Sequence, residues 1–185
     1  EMLAFIHGAH TREEMESWGC KWWSVWTTPE KCKIFGLPPG EMGPGSYGPG
    51  FNNQVFEWQE VEGHPDGGRY VPRLFRQFEH LVKEIKENPH LSTHKISPWL
   101  PHYCLQHSEL QRKVVVAPCH GDIQVTVLGD NLNLTMNQRS GDYPVGVPAD
   151  IMMYAALTIM LAHVTGLKPH RLIHRVTDGH LYENQ

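Results

Sequence analysis

The sequence lacks an apolar run of the length, about 20 residues, that a membrane-spanning helix needs. Its longest candidate, residues 151–164, is shorter and contains Thr158 and His163, so no membrane partner is expected. Paired cysteines are also missing. Cys20, Cys32, Cys104 and Cys119 form no CxxC and no pair at metal-ligand spacing. Such usage reads as free thiols and predicts an intracellular, cytoplasmic protein. The histidines show no HExxH or other ligand spacing, so no metal is assigned. Basic excess is absent as well: 16 Lys and Arg stand against 20 Asp and Glu, with a pI near 6.4. That argues against bulk nucleic-acid binding and leaves room for a small anionic ligand in a local basic pocket. No repeat and no linker are visible, so residues 1–185 are read as one domain. There is no initiator Met and no signal peptide, and Glu1 already lies in a helix-like pattern. The chain is therefore expected to be a fragment or a processed piece.

What is present suffices for a core. The 185 residues are 40% hydrophobic and 19% charged, which fits a folded domain that needs no disulfide or metal scaffold. Residues 1–18 read as helix, with Thr11-Arg-Glu-Glu14 opening a second short one. Residues 27–53 are rich in Gly and Pro and are expected to lack regular structure. Residues 70–87 carry Leu74, Phe75, Phe78, Leu81, Val82 and Ile85 at helical spacing, and Asn88-Pro89 stops them. Strands are predicted at 94–99, 113–117, 122–128, 132–138 and 171–175, with a hairpin turn at 129–131. Residues 151–165, apolar nearly all round, predict a central helix with Gly166 as its C-cap. Helices interleaved with strands, one hairpin included, give an α+β class with helices covering a large sheet.

Several residues stand out chemically. Cys119 lies in Ala117-Pro-Cys-His-Gly121, where Pro118 breaks a strand at the thiol. It is either a buried small hydrophobe or a nucleophile whose pKa a nearby cation lowers. Gln138-Arg-Ser-Gly-Asp142 is either a polar turn or an anion site, with Arg139 as a bidentate fork and Ser140 as a hydroxyl donor. Asp150 precedes the apolar helix, which suits an N-cap. Asp178, His180 and Tyr182 alternate onto one strand face and suggest a pocket wall.

Taken in order and spacing, Ala-Pro-Cys-His, Gln-Arg-Ser-x-Asp, Gly146-Val-Pro-x-x-Ile151 and Asp-x-His-Leu-Tyr resemble the thymidylate synthase family. The resemblance is dense from Val114 onward and thin between Thr27 and Trp99. It implies an α+β, thymidylate synthase-like enzyme, dimeric through its sheet, whose subunits extend further at both ends than this chain. It also implies a pyrimidine nucleotide monophosphate as substrate and methylenetetrahydrofolate as co-substrate. Cys119 would add to C6 of the ring. Glu1 would serve proton transfers, Tyr47 would help remove the C5 proton, and His120 would belong to the water network near the base. Arg139 and Ser140 would hold the phosphate and His180 and Tyr182 the sugar. Asp142, Trp23 and Trp26 would serve the folate.

Two departures from the family pattern bear on substrate. Asp150 stands where the family's base-reading Asn is expected, the change that marks the cytidylate (CMP or dCMP) hydroxymethylases, which add water to the exocyclic methylene. A carboxyl group accepts from the cytosine amino group and, when protonated, donates to N3. Ser92 and Thr93 stand where the family places two arginines that reach the partner's phosphate, and Lys95 or His94 is expected to compensate. The leading expectation is C5-hydroxymethylation of a cytidine monophosphate. The alternatives are a thymidylate synthase acting on dUMP and an inactive nucleotide-binding homologue. A homodimer is further expected because the apolar strands around Val114 and Ile123 need a partner surface beyond one helix.

Overall fold

The computed structural model describes residues 1–52, 54–59, 70–106 and 109–183, and of residues 54–59 and 70–72 the backbone alone. The chain opens with two short helices, α1 (Met2–Ile6) and α2 (Arg12–Ser17). Thr11 caps α2 through a capping box: its side chain accepts the Glu14 N–H while the Glu14 carboxylate accepts the Thr11 N–H. A 3₁₀ turn follows at Trp22–Val25.

The Gly/Pro-rich segment, expected to be irregular, contains helices α3 (Pro29–Ile34) and α4 (Tyr47–Asn52). Local and tertiary reasons differ. In α3, Thr28 caps and Pro29 occupies the first turn, where its missing N–H is harmless. In α4 the glycines allow contact. A Cβ on Gly48 would sit 2.1 Å from the Ala9 carbonyl oxygen, and one on Gly50 would sit 2.2 Å from that of Pro98. Packing against backbone selects glycine here and overrides its poor helix propensity.

The helix expected over 70–87 divides. Residues Tyr70–Phe75 form β2, antiparallel to β1 (Gln54–Gln59), and the helix α5 is Gln77–Glu87. Pro72 is compatible with a two-stranded ribbon, in which each strand has an unpaired edge. Leu74 and Phe75 are therefore half-exposed rather than part of the helical face that buries Phe78, Leu81 and Ile85.

The main sheet has four strands in the order β3 (Lys95–Ile96), β4 (Asp122–Leu128), β5 (Asn131–Asp142) and β6 (Lys168–His180). Its first two pairings are antiparallel and β5–β6 is parallel, joined through helix α7 (Gly146–Thr165). Between β3 and β4 runs a short helix α6 (Pro101–Cys104). Gly129 and Asp130 make the two-residue β4–β5 turn, with Gly129 at φ 63°. Residues 113–117 are not a strand. Lys113 donates to Tyr103 of α6 and Val115 donates to Met42, so these backbone groups pair with a helix and a loop rather than with a strand. Their apolar character reflects burial: Val114 and Ala117 form a small cluster with Cys104. Val114 and Ile123 are fully buried within the chain, so neither calls for a partner surface.

Helix α7 begins five residues earlier than the sequence pattern suggests and is 20 residues long, which makes it long and apolar enough to cross a membrane. Here Tyr154, Leu157, Leu161 and Ala162 lie in the core with Ile123, Val125, Leu134 and Met136 of the sheet. Gly166 ends it in a left-handed conformation at φ 75°.

The Gly48→Ala substitution is expected to destabilise the protein by about 1–3 kcal/mol, because the methyl meets backbone that cannot rotate away. Urea denaturation checks this, and an unchanged midpoint would refute the close packing of α4.

Candidate active site

The site is assembled around a turn. Residues 118–121 lead into β4, and Gly121, at φ 99°, has Phe51 where a Cβ would go. The turn is held from both sides. From α4, the Tyr47 hydroxyl accepts the N–H of Cys119 at 2.7 Å and that of His120 at 3.3 Å. From β5, Arg139 donates through Nε to the Pro118 carbonyl and through Nη2 to the Ala117 carbonyl, both at 2.9 Å. The same Nη2 lies 3.5 Å from the Cys119 sulfur. Tyr47 is itself fixed between the rings of Phe5 and His120, stacked at 4.7 and 4.4 Å.

A cleft of about 280 Å³ opens over this turn. Glu1, Trp23, Trp26, Tyr47, Cys119, His120, Ser140, Asp142, Asp150, His180 and Tyr182 line it, together with Trp22 and Gln138. Arg139 faces a neighbouring cavity, which it shares with Cys119, His120 and Lys95. The sequence reading thus brings most of its site residues together. Asp178 does not line the cleft; it is exposed and accepts a 3.4 Å hydrogen bond from Ser140. Tyr182 follows the end of β6 rather than extending the strand face, with its ring edge-on to His180. Of the residues expected to replace the missing arginines, His94 is buried and faces away from solvent, whereas Ser92, Thr93 and Lys95 are exposed.

Asp150 is not an N-cap. It is the fifth residue of α7, buried, with its carboxyl turned to the sheet. Gln138 Nε2 donates to its Oδ2 at 2.8 Å, and His120 Nε2 lies 3.4 Å from its Oδ1. The His120 Nδ1 meets the Tyr154 hydroxyl at 2.6 Å, and Gln138 Oε1 meets His174 Nε2 at 2.7 Å. Gln138, Tyr154 and His174 were not foreseen. The signals were present: Gln138 continues the inward series Leu134, Met136, and Tyr154 lies one helical turn after Asp150. Trp22 lacked a comparable signal.

Burial dominates the electrostatics. It raises Asp150 to about 7, with the Glu1 charge adding and the Gln138 hydrogen bond opposing. It drives His120 down to about 3, so that ring is neutral. Glu1 is also raised by burial, against the hydrogen bond from Trp23 Nε1 at 3.1 Å. The Cys119 thiol corrects a sequence expectation. Burial raises it and the Asp150 charge raises it further, while Arg139 opposes. The neighbouring cation is present, but it does not win in this state.

The sequence model of the family described as "Thymidylate synthase" matches residues 1–185. The chain belongs to the thymidylate synthase family. It is 34% identical over 186 residues to the thymidylate synthase of Equine herpesvirus 2, covering 100% of this chain and 60% of that protein. To the Homo sapiens thymidylate synthase it is 32% identical over 187 residues, covering 100% of this chain and 56% of that protein. A 108-residue stretch, 58% of the chain, is 44% identical to 35% of the Mycoplasma genitalium thymidylate synthase. The chain thus spans little more than half the length of the first two. Its mixed α+β architecture is the thymidylate synthase fold. Among the described residues, no group of three or more His, Cys, Asp or Glu is arranged to hold a metal.

The raised carboxyl has a measurable sign. In the native state Asp150 titrates near 7 and in the unfolded chain near its ordinary value of 3.8. Between those limits the native state binds more protons, so this group's contribution to stability falls as pH rises. His120, depressed to about 3, contributes in the opposite direction over the same range. Comparing wild type with Asp150→Asn isolates the first effect. The melting temperature of the variant relative to wild type is expected to rise from pH 4 to 7, and a pH-independent difference would contradict the raised carboxyl.

Proposed function

We propose that this chain carries the active site of a folate-dependent one-carbon transferase that hydroxymethylates C5 of a cytidine monophosphate, CMP or dCMP. The observation that carries the reading is Asp150: a buried carboxyl within α7, aimed into the cleft beside Cys119 and titrating near neutral pH. A protonated carboxyl offers one donor and one acceptor. Those match the bare N3 and the N4 amino group of cytosine. A carboxyl discriminates against uracil, with N3–H and O4, only when its donor end is held toward N3; buried mismatched polar groups then discriminate strongly.

The other residues take roles consistent with their positions. Cys119 adds to C6, which makes C5 nucleophilic. Methylenetetrahydrofolate, when bound, supplies the one-carbon unit, and the indole faces of Trp22, Trp23 and Trp26 beside Asp142 suit a flat heteroaromatic ring with amino groups. Tyr47, whose oxygen accepts two backbone amides, retains a proton to exchange and stands next to the thiol, which suits loss of the C5 proton. Glu1, its carboxyl raised by burial, serves proton transfer at the ring. Once the one-carbon unit is on C5, loss of the C5 proton would expel tetrahydrofolate and leave an exocyclic methylene; water would add to that carbon, and breaking of the C6–S bond would release the Cys119 thiol. Arg139 and Ser140 hold the phosphate, with Lys95 as a nearby cation in the cavity that Arg139 lines. His180 and Tyr182 hold the sugar. A homodimer through the sheet is part of the proposal, supported by helices that cover one sheet face while Thr126, Ile173 and Arg175 remain exposed on the other. A second reading, a thymidylate synthase acting on dUMP, is favoured by the names of the relatives.

Tritium release from C5 of labelled CMP, dCMP and dUMP in the presence of the folate, with the product mass, separates the two. Release from a cytosine nucleotide and a product heavier by CH₂O support the proposal; preference for dUMP with a methylated product supports the second reading. The Cys119→Ala variant is expected to lose both tritium release and product while still binding nucleotide. Asp150→Asn is expected to move preference toward uracil by at least tens-fold, since mismatched buried hydrogen bonds cost roughly 2–4 kcal/mol. A sedimentation profile showing a stable monomer at micromolar concentration would remove the dimer from the proposal.

A further inference from the structure

A carboxyl group that reads a base has a difficulty that an amide does not. Asparagine has one oxygen and one nitrogen, so its donor and acceptor ends are distinct by composition. The two oxygens of Asp150 are chemically equivalent until the surroundings distinguish them. Here the surroundings do so from the far side. Gln138 Nε2 donates to Asp150 Oδ2 at 2.8 Å and to the Ser140 carbonyl at 3.0 Å. Its Oε1 lies 2.7 Å from His174 Nε2. His174 stands on β6, in register with Met136 of β5, and is half-buried behind the cleft rather than lining it.

We propose that His174 is a positioning residue for base selection: by donating its Nε2–H to Gln138 it locks the amide that commits Asp150 Oδ2 to accepting. This rests on the base-reading role proposed for Asp150. With the amide reversed, a carbonyl would face the Asp150 oxygen and the Ser140 carbonyl, while the NH₂ met a ring N–H. With the amide locked, a proton on the carboxyl resides on Oδ1, the oxygen nearest His120. Each carboxyl oxygen has two lone pairs, so Oδ2 still has one for an amino hydrogen. The carboxyl then has a fixed donor end and a fixed acceptor end, and it selects cytosine when the base lies with N4 toward Oδ2 and N3 toward Oδ1.

The remaining titratable groups around Asp150 are Glu1 from α1, Tyr47 from α4, Cys119 and His120 from the turn, and Tyr154 from α7. None of them hydrogen-bonds the Gln138 side chain. Burial pushes the His174 imidazole below its ordinary value, and both its neutral Nε2–H form and its protonated form donate from that nitrogen.

The test uses the full-length protein and three measurements. Ring ¹⁵N NMR of the wild type is expected to find Nε2 of His174 protonated; a bare Nε2 overturns the proposal without any variant. His174→Phe keeps a ring and removes the donor. It is expected to raise the midpoint of the Asp150 carboxyl, followed by ¹³C NMR, because a free amide no longer favours the ionised form. It is also expected to lower the cytosine-to-uracil ratio of kcat/KM by about 5–20-fold. His174→Gln, which places an N–H at similar reach, is expected to restore both. Unchanged midpoint and ratio in His174→Phe overturn the proposal. Should His174→Phe fail to fold, the wild-type ring state and the His174→Gln titration decide. Wild-type preference for uracil defeats the cytosine reading alone, since the Asp150 midpoint still reports whether His174 sets the carboxyl.

Discussion

A carboxyl group buried in an apolar helix must be satisfied by whatever faces it, and in this chain that demand organises the site. Helix α7 is apolar on all sides, and Asp150 is its buried acid. Desolvation alone would make the position costly. The structure meets part of the cost with a hydrogen bond from Gln138 of β5, while the neutral ring of His120, from the 118–121 turn, packs 3.4 Å from the other oxygen. Each partner is in turn held, Gln138 by His174 and His120 by Tyr154. The result is a connected line of side chains from β6 to the core, and such networks are stabilising only when each member is satisfied.

The turn that carries Cys119 depends on the same packing in another way. Its amides need an acceptor, and the Tyr47 hydroxyl supplies one because α4 sits close enough. That closeness is what the glycines at 48 and 50 permit, against the backbone of Ala9 and Pro98. A segment that looks unfit for regular structure is therefore the part that delivers the tyrosine to the thiol. Arg139 has a related double position. Its guanidinium braces the turn through the carbonyls of Ala117 and Pro118, and it remains the cation closest to the sulfur.

The sequence made the residues of the cleft legible more readily than the bounds of the elements that carry them. Linked motifs identified Cys119, Tyr47, Asp150, Ser140, Asp142 and His180, and these converge on one cleft. The strong strands 122–128 and 132–138 were visible because alternation survives where one face is buried. Errors arose where tertiary contact outweighed local pattern. Residues 70–75 carry apolar side chains at helical spacing, yet they pair with β1. Residues 113–117 look like a strand because they are largely buried, while their hydrogen bonds go to α6 and to a loop rather than to a strand. The start of α7 was missed because Gly146 and Pro148 read as breakers, although a first turn tolerates both. That miss had a chemical consequence, since it made Asp150 look like a cap.

If Asp150 reads a base as proposed, its place inside the helix links that reading to the Cys119 thiol. The ionised carboxyl is among the groups that raise the Cys119 thiol, and Arg139 is the one that lowers it. A ligand that keeps Asp150 protonated therefore removes an opposing charge and leaves Arg139 with less to overcome. A ligand that requires the ionised carboxyl does the reverse. Two acids that share one desolvated cleft cannot both ionise cheaply, so the proton that reads the base and the proton that leaves the sulfur are thermodynamically coupled. In the substituted arrangement, with an uncharged amide at this position, that coupling disappears, and activation of the thiol depends on Arg139 and burial alone. In the proposed role, the carboxyl at position 150 would therefore do more than change the hydrogen-bonding pattern offered to a base: through its charge it would couple the ionisation of Cys119 to the base bound.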